Sequence, residues 1–209
     1  MTATDPAGVA GILRACNEYR GTFLVRSALM LAPMLFVRPG ELRQAEWTEF
    51  DLEAAEWRRV VSKTQKSGVS QHIVPLPRQA LAILRELQQY SSDSKYVFPC
   101  ARSKERPMSN SAVLTAFRRM GITGEEMTGH GWRDTARTIL DEVLRFPVDI
   151  IEQSLAHVVK DPLGRAYNRT THIEARREMM QTWADYLDEL RASPNPDIKA
   201  LREKYKFRG

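Results

Sequence analysis

Apolar positions recur at helical spacing along most of the chain and alternate in one short window. Residues 6–19 read as a helix, with Pro6 near its start and Val9, Ile12 and Leu13 on one face. Residues 22–36 read as a second, buried helix. The stretch 23–37 is the most apolar, but Arg26 and Pro33 interrupt it. No apolar run approaches the roughly 20 residues of a membrane span. Pro39-Gly40 breaks the second helix, and 41–45 starts a short third one. The texture then changes. In "WTEFDLEAAEWRRVV" (47–61) two short alternating runs flank a polar turn, which predicts a hairpin. "HIVPL" (72–76) adds a third strand after the charged loop 62–71.

Beyond Pro77 the helical period returns, with Leu81, Ile83, Leu84 and Leu87 on an apolar face. "YVFP" (96–99) is a short extended piece, and 109–120 is a helix capped by Ser109 or Asn110. The segment "MTGHGWRDTARTIL" (127–140) opens another helix. Ala136, Ile139, Leu140, Val143 and Leu144 continue its apolar stripe. A further helix runs from Pro147 to Leu155. Ile173, Met180, Trp183, Leu187 and Leu190 mark a long last one. The tail begins as a linker and ends as a weak, basic amphipathic helix. The pattern predicts an α+β domain, mostly helical, with a small three-stranded antiparallel sheet near 46–76.

Composition adds little to this picture. With 209 residues, 43% hydrophobic and 27% charged, the chain fits a soluble globular protein of one large or two small domains. Cys16 and Cys100 offer neither metal-ligand spacing nor a disulfide framework, and no secretory signal is read at the start. A reduced, cytosolic setting is expected. The net charge of +5 weakly favours an anionic partner. Basic residues cluster at Arg58-Arg59, Lys63 to Lys66, Arg102 to Arg106, Arg118-Arg119, Arg165 to Arg169 and Arg176-Arg177. These are either solvated faces or contacts to an extended polyanion.

The chemistry lies in five places. His130 and Arg133 stand one helical turn apart, where both could reach one phosphate. Arginine suits that task because its planar fork matches phosphate oxygens. "FVRPGELR" (36–43) holds Arg38 at a sharp break after a buried helix. "SLAHVV" (154–159) puts His157 at the end of an apolar helix, and "GRAYNR" (164–169) sets Tyr167 between two arginines. The loop before the third strand supplies Lys63 and Lys66. Alone, each says little; their order along the chain is distinctive. Trp47, Trp57, Trp132 and Trp183 read as core or interface, and His72 as structural.

With "VRPGELRQAEW", "HIVPLPRQALAIL", "YVFP", "MTGHGWRDTA", "LAH" and "AYNR", the chain resembles the catalytic domain of the tyrosine recombinases, the phage integrase family, over nearly all of 5–190. Prophage and genomic-island integrases are the most similar. The resemblance implies the DNA breaking-rejoining fold and a mechanism shared with type IB topoisomerases. Arg38 and Arg133 would bind the scissile phosphate, His130 would bind it or move a proton, and His157 would hydrogen-bond a non-bridging oxygen. Tyr167 would attack phosphorus, forming a 3′-phosphotyrosyl bond and releasing a 5′-hydroxyl. Lys66 would be the general acid for that oxygen, with Lys63 the second choice, and Glu41 would buttress the arginine side. No metal or cofactor is expected.

The resemblance further implies double-stranded attachment sites as substrate, a homotetramer on DNA with the isolated domain monomeric, and room for accessory DNA-bending proteins. Such integrases carry N-terminal DNA-binding domains. None is read here, so residues 1–190 are expected to be an excised catalytic domain, with 191–209 a tail that exchanges between protomers. The competing readings are a topoisomerase-like enzyme and a non-catalytic DNA-binding module on the same scaffold.

Overall fold

The structure is a computed structural model that describes residues 4–60, 71–157 and 172–209. Helix α1 (Pro6–Glu18) starts where the Asp5 carboxylate accepts the Gly8 N–H at 2.8 Å. Helix α2 (Phe23–Leu35) is capped by Thr22 and is apolar nearly all round, so it lies in the centre of the domain. It ends at Phe36, which is buried in the left-handed region at φ 36°. A non-glycine residue there costs about 1 kcal/mol. That turn redirects the chain into α3 (Pro39–Arg43). Pro39 takes the first helical position, so α3 begins two residues earlier than its apolar pattern suggests.

The three-stranded sheet is present as β1 (Phe50–Asp51), β2 (Glu56–Val60) and β3 (Gln71–Pro75), antiparallel in the order β1-β2-β3. Trp57 pairs with Val74 in the β2–β3 ladder, and both are buried. The first arm of the hairpin is shorter than its alternation predicts, because Trp47–Glu49 form a 3₁₀ turn. Helix α4 (Arg78–Ser91) follows. A second ribbon then appears that the pattern did not announce, β4 (Pro99–Cys100) paired with β5 (Ser103–Pro107). Helix α5 (Ala112–Arg119) starts after Ser111, so neither Ser109 nor Asn110 is its cap residue.

Helix α6 (Gly131–Thr138) is shorter than its stripe implies. It passes into a π-helical turn over Ile139–Val143, closed by Leu144 N–H donating to the Ile139 carbonyl at 2.8 Å. The wider turn keeps Ile139, Leu140 and Leu144 all buried. Helices α7 (Val148–Ser154) and α8 (Ile173–Ala192) complete the core, and α9 (Ile198–Tyr205) packs back on α8. The Phe207 ring lies 5.1 Å from that of Phe146, and the Phe207 N–H donates to the Leu144 carbonyl at 2.7 Å. Helix α8 is the spine, packing on α1, α2, α7, α9 and β3. Trp57, Trp132 and Trp183 are fully buried. Among the described residues no helix is long and apolar enough to cross a membrane.

The basic clusters part ways. Arg102, Arg106, Arg118 and Arg119 are exposed, but Arg176 is 1% exposed inside the protein. It donates to Ser154 Oγ at 3.1 Å and to the Ile73 carbonyl at 2.5 Å, tying α8 to α7 and β3. Burial pushes its guanidinium down to about 10. Arg177 bonds the Glu56 carboxylate.

Candidate active site

The site is built where three chain breaks meet. At the first, Arg38 caps α3 and Glu41 closes a capping box on it. One Glu41 oxygen accepts the Arg38 backbone N–H at 3.0 Å, and the other accepts Arg38 Nη1 at 3.0 Å. The carboxylate thus fixes both the turn and the guanidinium it presents. Arg59, on β2, donates to the Glu41 carbonyl at 2.6 Å and steadies the same turn.

The second break is the loop before α6. A Cβ on Gly129 would sit 2.9 Å from Pro39 Cγ and 3.2 Å from its Cβ. Only a glycine lets this loop approach the Arg38 turn so closely. The proline ring cannot swing aside, so Gly129→Ala should lower the urea midpoint by an amount worth about 1–3 kcal/mol. An unchanged midpoint would show that the two loops part freely.

The third break is the end of α7. Ala156 adopts a left-handed conformation at φ 54°, its N–H donating to the Gln153 carbonyl at 3.1 Å, and His157 N–H donates to the Glu152 carbonyl at 3.0 Å. This pair of bonds is a Schellman turn. It folds His157 back over the last turn of α7, so that Nδ1 lies 2.5 Å from Glu152 Oε2.

Arg133 joins the three. Its Nη1 donates to the Phe36 carbonyl at 2.9 Å, and its Nη2 donates to the Leu155 carbonyl at 2.7 Å and lies 3.2 Å from His157 Nε2. The strained Phe36 turn therefore offers its carbonyl to the arginine that opens α6. The Arg133 guanidinium sits below its ordinary range, first because it is half-buried and then because the Arg38 charge is close. Two like charges held near each other at a partly buried site raise each other's cost, and an anion placed between them lowers it.

Of the residues read from sequence, the structure brings Arg38, Glu41, Arg133 and His157 into this cluster. His130 precedes α6 by one residue and is exposed. Lys63, Lys66 and Tyr167 lie outside the described residues.

Glu152 was missed. Its Oε1 accepts Arg137 Nε at 2.7 Å while Oε2 faces His157. Burial, the largest single influence on its carboxyl, would raise it, but the bonds from His157 and Arg137 together hold it below the ordinary range. The available signal was the spacing of Glu152 and His157 across a helix end. Among the described residues, no three His, Cys, Asp or Glu side chains gather to hold a metal.

Comparison with known proteins gives this arrangement a family. The model of the phage integrase family matches residues 4–173. The integrase of Enterobacteria phage P4 is 40% identical over 182 residues, covering 81% of this chain and 42% of that protein. The prophage integrase IntA of Escherichia coli (strain K12) is 39% identical over 185 residues, covering 88% and 44%. In fold, the chain is similar to an integrase from mycobacterium phage Brujita. That match has a TM-score of 0.60 at 13% identity and covers 95% of this chain and 62% of the other. It is also similar to the XerA recombinase, with a TM-score of 0.55 at 16% identity, covering 94% and 60%. The chain belongs to the phage integrase family. It spans less than half the length of these two curated relatives.

Proposed function

We propose that this chain is the catalytic domain of a tyrosine-type site-specific recombinase that cuts and rejoins double-stranded DNA to integrate or excise a mobile element. The observation that carries this reading is the Arg133 guanidinium, half-buried against His157 with the Arg38 charge beside it. Membership of the integrase family supports it.

Arg38 and Arg133 would neutralise the non-bridging oxygens of the scissile phosphate, and His157 would donate to one of them. His130, exposed at the mouth of α6, would bind the same phosphate or relay a proton. Tyr167 would supply the nucleophile. Its oxygen bonds to phosphorus as the bond to the 5′ oxygen breaks. The tyrosine proton leaves to a base, and the 5′ oxygen takes a proton from Lys66, with Lys63 the alternative donor. The reverse reaction rejoins the strand, because the phosphotyrosyl ester conserves the energy of the broken bond.

On DNA the protein would work as a tetramer, in the cytoplasm, with DNA-bending proteins as further partners. The segment 191–209 would move between protomers; in this structure α9 is seated on its own chain.

The test is covalent trapping. The protein is incubated with nicked duplexes carrying the element's own attachment core, in chelator, and any peptide–DNA adduct is mapped by mass spectrometry. A 3′-phosphate adduct on Tyr167 is expected. DNA binding without an adduct, in the full-length protein as well, would overturn the reading and leave a DNA-binding scaffold.

A further inference from the structure

Glu152 enters none of the roles above, yet it touches one of the residues that do. Its side chain is 20% exposed and its two oxygens are divided between Arg137 and His157. The His157 ring is thus held on both sides, by a carboxylate at Nδ1 and by a guanidinium at Nε2. An ionised carboxylate can only accept a hydrogen bond, and a guanidinium can only donate one. The partners therefore assign the proton to Nδ1 and leave the Nε2 lone pair facing Arg133.

We propose that Glu152 is a positioning residue for His157: it fixes the ring's tautomer and plane so that Nε2 is aimed at the phosphate position beside Arg133, and Arg137 fixes which oxygen of Glu152 does so. The catalytic consequence rests on the recombinase reading; the tautomer does not. A phosphate oxygen that arrives between Nε2 and Arg133 accepts from both and keeps the two donors apart, Nε2 taking the proton it needs from solvent, to which His157 is 45% exposed. Nδ1–H stays on Glu152 and the carboxylate compensates the imidazolium, so the ring need not flip.

Glu152→Gln tests this with almost no change of shape. Arg137 cannot accept, so the amide oxygen must face Arg137 and the amide NH₂ must face Nδ1. Nδ1 then accepts, the proton moves to Nε2, and Nε2–H meets the Arg133 donor head-on. In E152Q/R137M the amide is free to turn, and its oxygen can accept Nδ1–H again.

The readout is the long-range proton–nitrogen spectrum of imidazole-labelled protein near pH 8, above the ordinary imidazole value of about 6.5. The chain has four histidines, and H157Q assigns the signal. The expected result is Nδ1–H in the wild type, Nε2–H in E152Q and Nδ1–H again in the double variant. On the nicked duplex, E152Q should form the adduct about 10- to 100-fold more slowly at unchanged DNA affinity, with partial recovery in the double variant. Wild-type His157 protonated on Nε2, or an E152Q protein with unchanged tautomer and rate, would overturn the proposal. If E152Q does not fold, the wild-type and double-variant spectra decide. DNA bound without an adduct, in the full-length wild type as well, would fell the recombinase reading, while the tautomer comparison still judges Glu152.

Discussion

Arg133→Lys is expected to slow covalent attachment to the nicked duplex by about 10³-fold or more in single turnover, the scale of an arginine that stabilises charge in phosphoryl transfer. The charge survives this substitution, so the loss measures geometry. The guanidinium spans the Phe36 carbonyl, the Leu155 carbonyl and the His157 ring at once. A lysine ammonium is one point with three rotatable donors, and it cannot bridge three acceptors around a flat fork. The Arg38 turn, the α7 end and the His157 ring would lose their common strut. DNA affinity should fall far less, because most of it comes from contacts spread along the backbone. A lysine variant within tenfold of the wild type would show that charge alone suffices at this position.

Trp183→Ala should be the most destabilising single change, costing about 3–5 kcal/mol and lowering the melting midpoint by about 10 °C or more. Trp183 is fully buried on α8, stacks on Tyr186 with ring centroids 6.0 Å apart, and donates its indole N–H to the Pro33 carbonyl at 2.9 Å. Truncation removes a large apolar volume from the spine of the domain and leaves that carbonyl without its donor. Trp183→Phe keeps most of the ring and loses only the hydrogen bond, so it should cost about 1–2 kcal/mol. Urea and thermal denaturation of the two variants separate packing from hydrogen bonding. Equal losses would mean that the N–H, not the bulk, is what Pro33 and α2 depend on.

The sequence showed those parts of the molecule whose physics is local. Helices α1, α2, α4, α7 and α8 follow from apolar spacing and from Pro6, Pro39 and Pro147 at their borders. The Arg38 turn was legible because Pro39-Gly40 cannot continue the apolar helix before it, although Pro39 also opens α3. What stayed hidden depends on tertiary contact. The ribbon β4–β5 carries "SKERP", a polar run whose strand character comes from pairing with Pro99 and Cys100. The π turn at 139–143 keeps the apolar spacing of an α-helix and differs only in its hydrogen bonds. Arg176 looks like one half of a solvated basic pair, and its burial comes from the Ile73 carbonyl and Ser154, elements distant in sequence. Glu152 reads as an ordinary polar position on α7 until the turn at Ala156 folds His157 onto it.

Arg133 and its first carbonyl partner, Phe36, are 97 positions apart, and its second, Leu155, is 22 away. The cluster therefore has no local precursor: it exists only where α2, α6 and α7 are packed together, across a long loop whose closure costs entropy. A nascent or half-melted copy holds the same arginines and the same histidine but cannot aim them together at a phosphate. For a chain whose proposed work is to break DNA, this makes reactivity a property of the finished fold, and a damaged copy falls silent instead of becoming a loose nickase.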